Sequence, residues 1–181
     1  MGVIPFTMEE THHKFMQKAL LLADRAEQQD EVPIGAVLVY QGEIIGEGWN
    51  QSISLNDPTA HAEIMAIRDA ANKIKNYRLN NTTLYVTLEP CSMCAGSLIH
   101  ARVEQVIFGA SDQKAGAVES VYQLLDSNDK QHRVKWQGGV LAEECSSKIT
   151  KFFVTKRAEN KATNKKTEQE PSTRRNEEHE G

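Results

Sequence analysis

Two periods alternate along this chain, and each switch between them marks an element. Residues 8–28 repeat at three to four, with Phe15, Ala19, Leu22 and Ala26 on one side, the stripe of a helix buried along one face. Thr7-Met8-Glu9-Glu10 precedes it as a capping box, with Thr7 capping and Glu10 reaching back. Residues 34–40 and 43–49 read as strands around Gln41-Gly42 and predict a hairpin. Helical spacing returns at residues 61–73, where Ile64, Ile67 and Ala71 share a face. A strand at 82–88 leads into a helix that opens at Cys91; then come a strand at 104–108, a short helix at 118–125, a strand at 133–137 and a last helix at 143–157. Leu141, Cys145, Ile149 and Phe152 or Phe153 form the apolar stripe of that last helix, so Cys145 reads as a buried structural cysteine. Strands alternating with helices after an opening hairpin predict an α/β domain whose mixed sheet is covered on both faces.

Composition changes the picture near Ala158. Residues 158–181 hold five Lys or Arg against six Glu and no large apolar side chain. This stretch is expected to be a disordered charged tail, because nothing in it offsets the entropy of ordering, and residues 1–157 are expected to form one domain. The whole chain has 181 residues, 39% of them hydrophobic, and a net charge of −4, enough for a core of its own. No apolar run approaches membrane-spanning length and no signal-peptide core is present. Three cysteines do not make a disulfide framework, and a reducing cytoplasm fits.

The chemistry concentrates in His61-Ala62-Glu63 and Pro90-Cys91-Ser92-Met93-Cys94. Cys91 and Cys94 stand three apart at a helix start, where both sulfurs can face one ion and the helix dipole favours thiolate. Alone, the pair reads equally as a redox couple. His61, at the first turn of another helix, supplies a third ligand. Glu63, two residues on, does not share its direction and suits a carboxylate placed to meet water. Taken singly, His61 is an ordinary core or surface histidine and Glu63 a solvated first-turn acid. Together the four residues fit one zinc with three protein ligands and an open fourth position, the mark of a catalytic site. His12 and His13 read as surface residues, His179 as part of the tail, and His100 and His132 as structural or polar contacts.

H-x-E followed by P-C-x-x-C is the signature of zinc-dependent nucleobase deaminases. From about Phe15 to Arg157 the chain resembles the bacterial tRNA-specific adenosine deaminases. The likeness is carried by Glu31-Val32-Pro33-Ile34-Gly35-Ala36-Val37, Gly46-Glu47-Gly48-Trp49-Asn50, Asp57-Pro58-Thr59-Ala60-His61-Ala62-Glu63, Thr87-Leu88-Glu89-Pro90-Cys91, Met93-Cys94-Ala95-Gly96 and Phe108-Gly109-Ala110. Asp112, Lys114, Phe152, Phe153, Lys156 and Arg157 draw it toward the tRNA branch, whereas Ser111 replaces a residue that is often basic. The resemblance implies a cytidine deaminase-like three-layer α/β/α fold with a central mixed five-stranded sheet, and a homodimer. It implies conversion of a wobble adenosine to inosine in a tRNA anticodon stem-loop. It also implies zinc on His61, Cys91 and Cys94, Glu63 as proton shuttle and Asn50 on the nucleoside. The basic and aromatic residues named above are the candidate RNA contacts. Two other functions fit the same motif. A deaminase of a free base or nucleoside, such as guanine or cytosine, shares every zinc-site residue. A zinc-stabilised binding module has no need of Glu63.

Overall fold

The computed structural model describes residues 7–126 and 132–167, with side chains as far as 163. Its elements in chain order are α1 (Met8–Gln28), β1 (Gly35–Tyr40), β2 (Glu43–Trp49), α2 (Ala62–Ile74), β3 (Thr82–Leu88), α3 (Ser92–Ala101), β4 (Gln105–Ala110), β5 (Lys135–Gln137) and α4 (Ala142–Thr167). The strands lie in the order β2-β1-β3-β4-β5. β1 is antiparallel to β2 and β3, and the pairs β3–β4 and β4–β5 are parallel. Alternation along β1 builds both faces. Ala36 and Leu38 join Ala62, Ala66, Leu98 and Phe108 under α2 and α3. Val37 and Val39 join Phe15, Met16, Ala19 and Cys145 under α1 and α4. The result is the three-layer mixed five-stranded arrangement that the family resemblance implies.

α1 begins as its sequence predicts: the Glu10 amide donates to Thr7 Oγ1 and the Thr7 amide to Glu10 Oε2. α2 departs from expectation in its face. Ala62, Glu63, Ala66 and Ala70 are the buried side, and Ile64, Ile67 and Ala71 are only partly covered. The reason lies in β2, where a Cβ on Gly48 would stand 2.2 Å from Ala62 O and one on Gly46 2.3 Å from Ala66 O. Only small residues on the facing helix allow so close an approach.

Three further expectations change. Residues 118–125 form turns rather than a helix, because the amides of Val121, Tyr122 and Leu124 reach past a helical turn to the carbonyls of Gly116 and Ala117. α4 continues to Thr167, ten residues beyond Arg157. A loss of apolar residues does not stop a helix whose next residues are Ala, Glu, Lys and Asn, and its first turns are already docked. Residues 168–181, the rest of the expected tail, lie outside the described residues. His12 is buried, not on the surface: its Nδ1 lies 3.0 Å from the Tyr85 hydroxyl.

Candidate active site

α2 and α3 both begin with a metal-type ligand that does not cap its own helix. His61 and Cys91 occupy the N-cap positions of α2 and α3, and neither side chain bonds its helix. An acceptor for α2 comes from elsewhere: Asn50 Oδ1, at the end of β2, accepts the Ala62 amide at 3.0 Å. The Asp57 turn feeds the chain in, with Asp57 Oδ1 accepting the Thr59 amide at 2.8 Å. The imidazole and the thiol are thereby left to face each other. Cys94, inside the first turn of α3, joins them.

His61 Nδ1 lies 3.7 Å from both Cys91 Sγ and Cys94 Sγ, and the three ligand atoms are all within 4.8 Å of one another. Ligands held tetrahedrally at zinc distances stand about 3.6 Å apart, so the cluster fits one such ion. No fourth His, Cys, Asp or Glu joins it among the described residues. That is a catalytic ligand count rather than a structural one. A hydrogen bond from the Cys94 thiol, aided by the His61 ring, pulls the Cys91 thiol down to about 4, into the thiolate form that binds metal. The hydrogen bond to Cys91, then burial, pushes Cys94 up. Contact with Cys91 raises His61 against the opposing effect of burial.

Glu63 is 4% exposed and stands outside the ligand set. Burial is the main cause that pushes its carboxyl up to about 7, with the Cys91 thiolate adding to it. A carboxyl that titrates near neutrality beside a metal cluster can both take and give a proton.

The remaining candidates divide. Asp112, Lys114 and Phe153 line one cavity of about 530 Å³ with Val32, Leu88, Ala110 and Ile149. Phe152 does not face it: at 8% exposure it packs into the domain, edge-on to Phe153. Lys156 is ion-paired with Asp30 and, at 3.1 Å, with Glu159. Arg157 is exposed. Ser111 donates to Glu119 Oε1 at 3.0 Å.

Two buried acids escaped the sequence reading. Glu31 Oε1 accepts the Ile53 and Ser54 amides at 2.9 and 2.7 Å, pinning the loop between β2 and α2. Glu89 is 2% exposed. Its Oε1 accepts the amides of Val118, Glu119 and Ser120, and its Oε2 accepts the Asp112 amide and the Ser120 hydroxyl. Burial raises its carboxyl, but the Ser120 hydroxyl and these amides outweigh it and hold the group below its ordinary value. The available signal was an acid at the end of an apolar strand, a place where charge must find donors.

A family model described as the cytidine and deoxycytidylate deaminase zinc-binding region matches residues 9–110. The tRNA-specific adenosine deaminase of Haemophilus influenzae is 54% identical over 153 residues, 84% of this chain and 88% of that one. A solved tRNA:A34 deaminase, from work on A-to-I editing at the wobble position of transfer RNA, matches with a TM-score of 0.72 at 43% identity, over 75% of this chain and 98% of that one. The guanine deaminase of Bacillus subtilis matches with a TM-score of 0.54 at 33% identity, over 75% and 90%. Identity at these levels across most of both chains places the protein: it belongs to the tRNA-specific adenosine deaminases, within the zinc-binding deaminase family.

Proposed function

We propose that the protein deaminates the wobble adenosine of a tRNA anticodon stem-loop to inosine, consuming one water and releasing ammonia, in the cytoplasm. The observation that carries this reading is the 54% identity to a tRNA-specific adenosine deaminase, which spans the whole ligand set and the loops around it. His61 Nδ1, Cys91 Sγ and Cys94 Sγ would hold zinc, which when bound supplies Lewis-acid activation of water toward a pKa of about 7. Glu63 takes one proton of the attacking water and passes it to the ring nitrogen N1; it then takes the second proton from the new C6 hydroxyl and delivers it to the amine, so that the C6–N bond breaks, ammonia leaves and the C6 carbonyl of inosine forms. Its carboxyl, poised at about 7, suits both directions of transfer. Asn50 has committed its oxygen to the Ala62 amide, so its NH₂ end is the one that serves an acceptor on the base. An anticodon loop presents its bases unstacked, which lowers the cost of bringing adenine to the site.

At the shared cavity Phe153 is proposed to stack on a flanking base, Lys114 to meet a phosphate and Asp112 to accept from a base or sugar donor, with Arg157 on the exposed side of α4 adding a phosphate contact. Lys156, part-exposed on the same helix, is proposed to join the phosphate contacts, and Phe152, edge-on to Phe153, to act through that ring. The assembly proposed is a homodimer through α3 and the segment that follows it, where Val121 and Tyr122 are exposed apolar residues; sedimentation at micromolar concentration checks it. Residues 158–181 are proposed to lie outside the catalytic unit.

One observation favours a free-base deaminase, the 33% identity to a guanine deaminase. The test is to compare inosine formation in an anticodon stem-loop with ammonia release from guanine and from free adenosine. Editing of the stem-loop alone supports the proposal. Equal catalytic efficiency on guanine overturns it.

A further inference from the structure

The loop at residues 112–120 has almost no regular structure, yet it is pinned at both ends to one side chain. Glu89 receives three consecutive amides on one oxygen, at 3.1, 2.8 and 3.0 Å from Val118, Glu119 and Ser120, and the Asp112 amide at 2.9 Å on the other, together with the Ser120 hydroxyl. The loop closes tightly on it: a Cβ on Gly116 would stand 2.3 Å from Glu89 Oε2. With its lone pairs taken up, this carboxylate is neither a metal ligand nor a proton carrier.

What the winding achieves is visible in the backbone. Gly116 forms an isolated antiparallel bridge with Cys91, and the Ala117 amide donates to Pro90 O at 2.8 Å. The Glu89 amide itself donates to Ala110 O at 2.8 Å, extending the β3–β4 pairing by one residue. The peptide that carries Cys91 is thus clamped between β4 and the loop. On its other side the same loop presents Asp112 and Lys114 to the cavity shared with Phe153.

We propose that Glu89 is a positioning residue that fixes two things through one carboxylate: the direction of the Cys91 sulfur toward the metal, and the wall that Asp112 and Lys114 give to the cavity shared with Phe153. The proposal rests on the reading of His61, Cys91 and Cys94 as metal ligands, and does not depend on which nucleic acid is the substrate. Groups that orient a metal ligand from behind typically govern metal affinity by about 10–100-fold.

The test compares Glu89→Gln with Glu31→Gln in the full chain. Glutamine keeps the size of Glu89 and can accept the three-amide side through its one oxygen, but it sets N–H groups against the Asp112 amide. Cobalt is substituted for zinc, and the thiolate-to-metal and d–d absorption bands are recorded. Zinc loss to a chelator is timed, and KM and kcat on the stem-loop are measured separately. Glu89→Gln is expected to shift the cobalt bands, speed zinc loss about 10-fold and raise KM, while Glu31→Gln leaves the bands as in the parent. Parent-like bands and zinc loss in Glu89→Gln overturn the proposal, and so do equal band shifts in both variants, which would mean a general loosening. If Glu89→Gln does not fold, Ser120→Ala, which removes one donor only, is judged by the same readings. A parent protein with no cobalt–thiolate bands overturns the zinc-site reading instead, so the two failures are separable.

Discussion

Glu63 and Glu89 are both buried beside the cysteine pair, 4% and 2% exposed, and their surroundings are opposites. Glu63 has low-dielectric packing and a thiolate around it, so it keeps its proton up to about 7. Glu89 is ringed by four backbone amides and a hydroxyl, and its proton is driven off although burial opposes this. Depth therefore does not assign a role to a carboxylate; the supply of donors does. A carboxylate short of donors can exchange protons, and one saturated with them becomes a fixed anion around which a chain can wind.

The largest effect that separates the two is on turnover. Glu63→Gln is expected to lower kcat by roughly 10²–10⁴-fold, with one zinc per chain and an unchanged or higher melting temperature, since a poorly solvated acid is removed. Loss of the metal in this variant would make Glu63 part of the ligand set and dissolve the contrast. Glu89→Ala should act on the other axis. The buried Val118 amide and three partly buried ones lose their acceptor, at about 1–3 kcal/mol for the buried one and less for the others, so urea denaturation should show a loss of about 3 kcal/mol. Stability equal to the parent would mean that water replaces the carboxylate.

Glu31 sharpens the comparison. Both of its amide partners bond the same oxygen, which a glutamine also possesses. Glu31→Gln should cost about 0.5–1.5 kcal/mol, visible in the same denaturation curves, whereas the same exchange fails at Glu89, which uses both oxygens. The smallest effect belongs to His12, a buried base with a neutral partner. Burial first, and then the charge of His13, hold its pKa below 6.5. The fold then binds fewer protons than the unfolded chain just below pH 6.5, so stability is complete above that pH and declines as pH falls through the window beneath it. The melting temperature of the parent relative to that of His12→Gln should decline gently between about pH 7.5 and 5.5, a difference from which the opposite contribution of Glu63, common to both proteins, cancels.

The same contrast explains what could be read from the sequence. His61, Cys91, Cys94 and Glu63 were legible because metal-grade ligands at these spacings are uncommon and each sits at the start of an element visible in its own neighbourhood. The capping box of α1 was legible for the same reason: all of its bonds lie within three residues. The turns at residues 118–125 were not, because the carboxylate that anchors their start lies 29 to 31 residues upstream and no local pattern announces it. His12 was misplaced because Tyr85 is 73 residues away. The alanine face of α2 was hidden by two glycines on a separate strand. At the end of α4, composition changed but helix propensity did not, and only the first of these is conspicuous in a sequence.

Those glycines have a mechanical consequence. Where β2 meets α2 at Gly46 and Gly48, the strand backbone lies against the helix backbone, with only the first side-chain carbons of Ala70 and Met65 beside it. Most helices ride on a cushion of side chains whose thickness changes as the core is exchanged residue by residue over evolutionary time. Here the spacing is set by the hard radius of the backbone itself. The height of His61 above the sheet should therefore stay constant as aliphatic residues elsewhere come and go. One metal ligand is held to a reference surface that core drift cannot wear down.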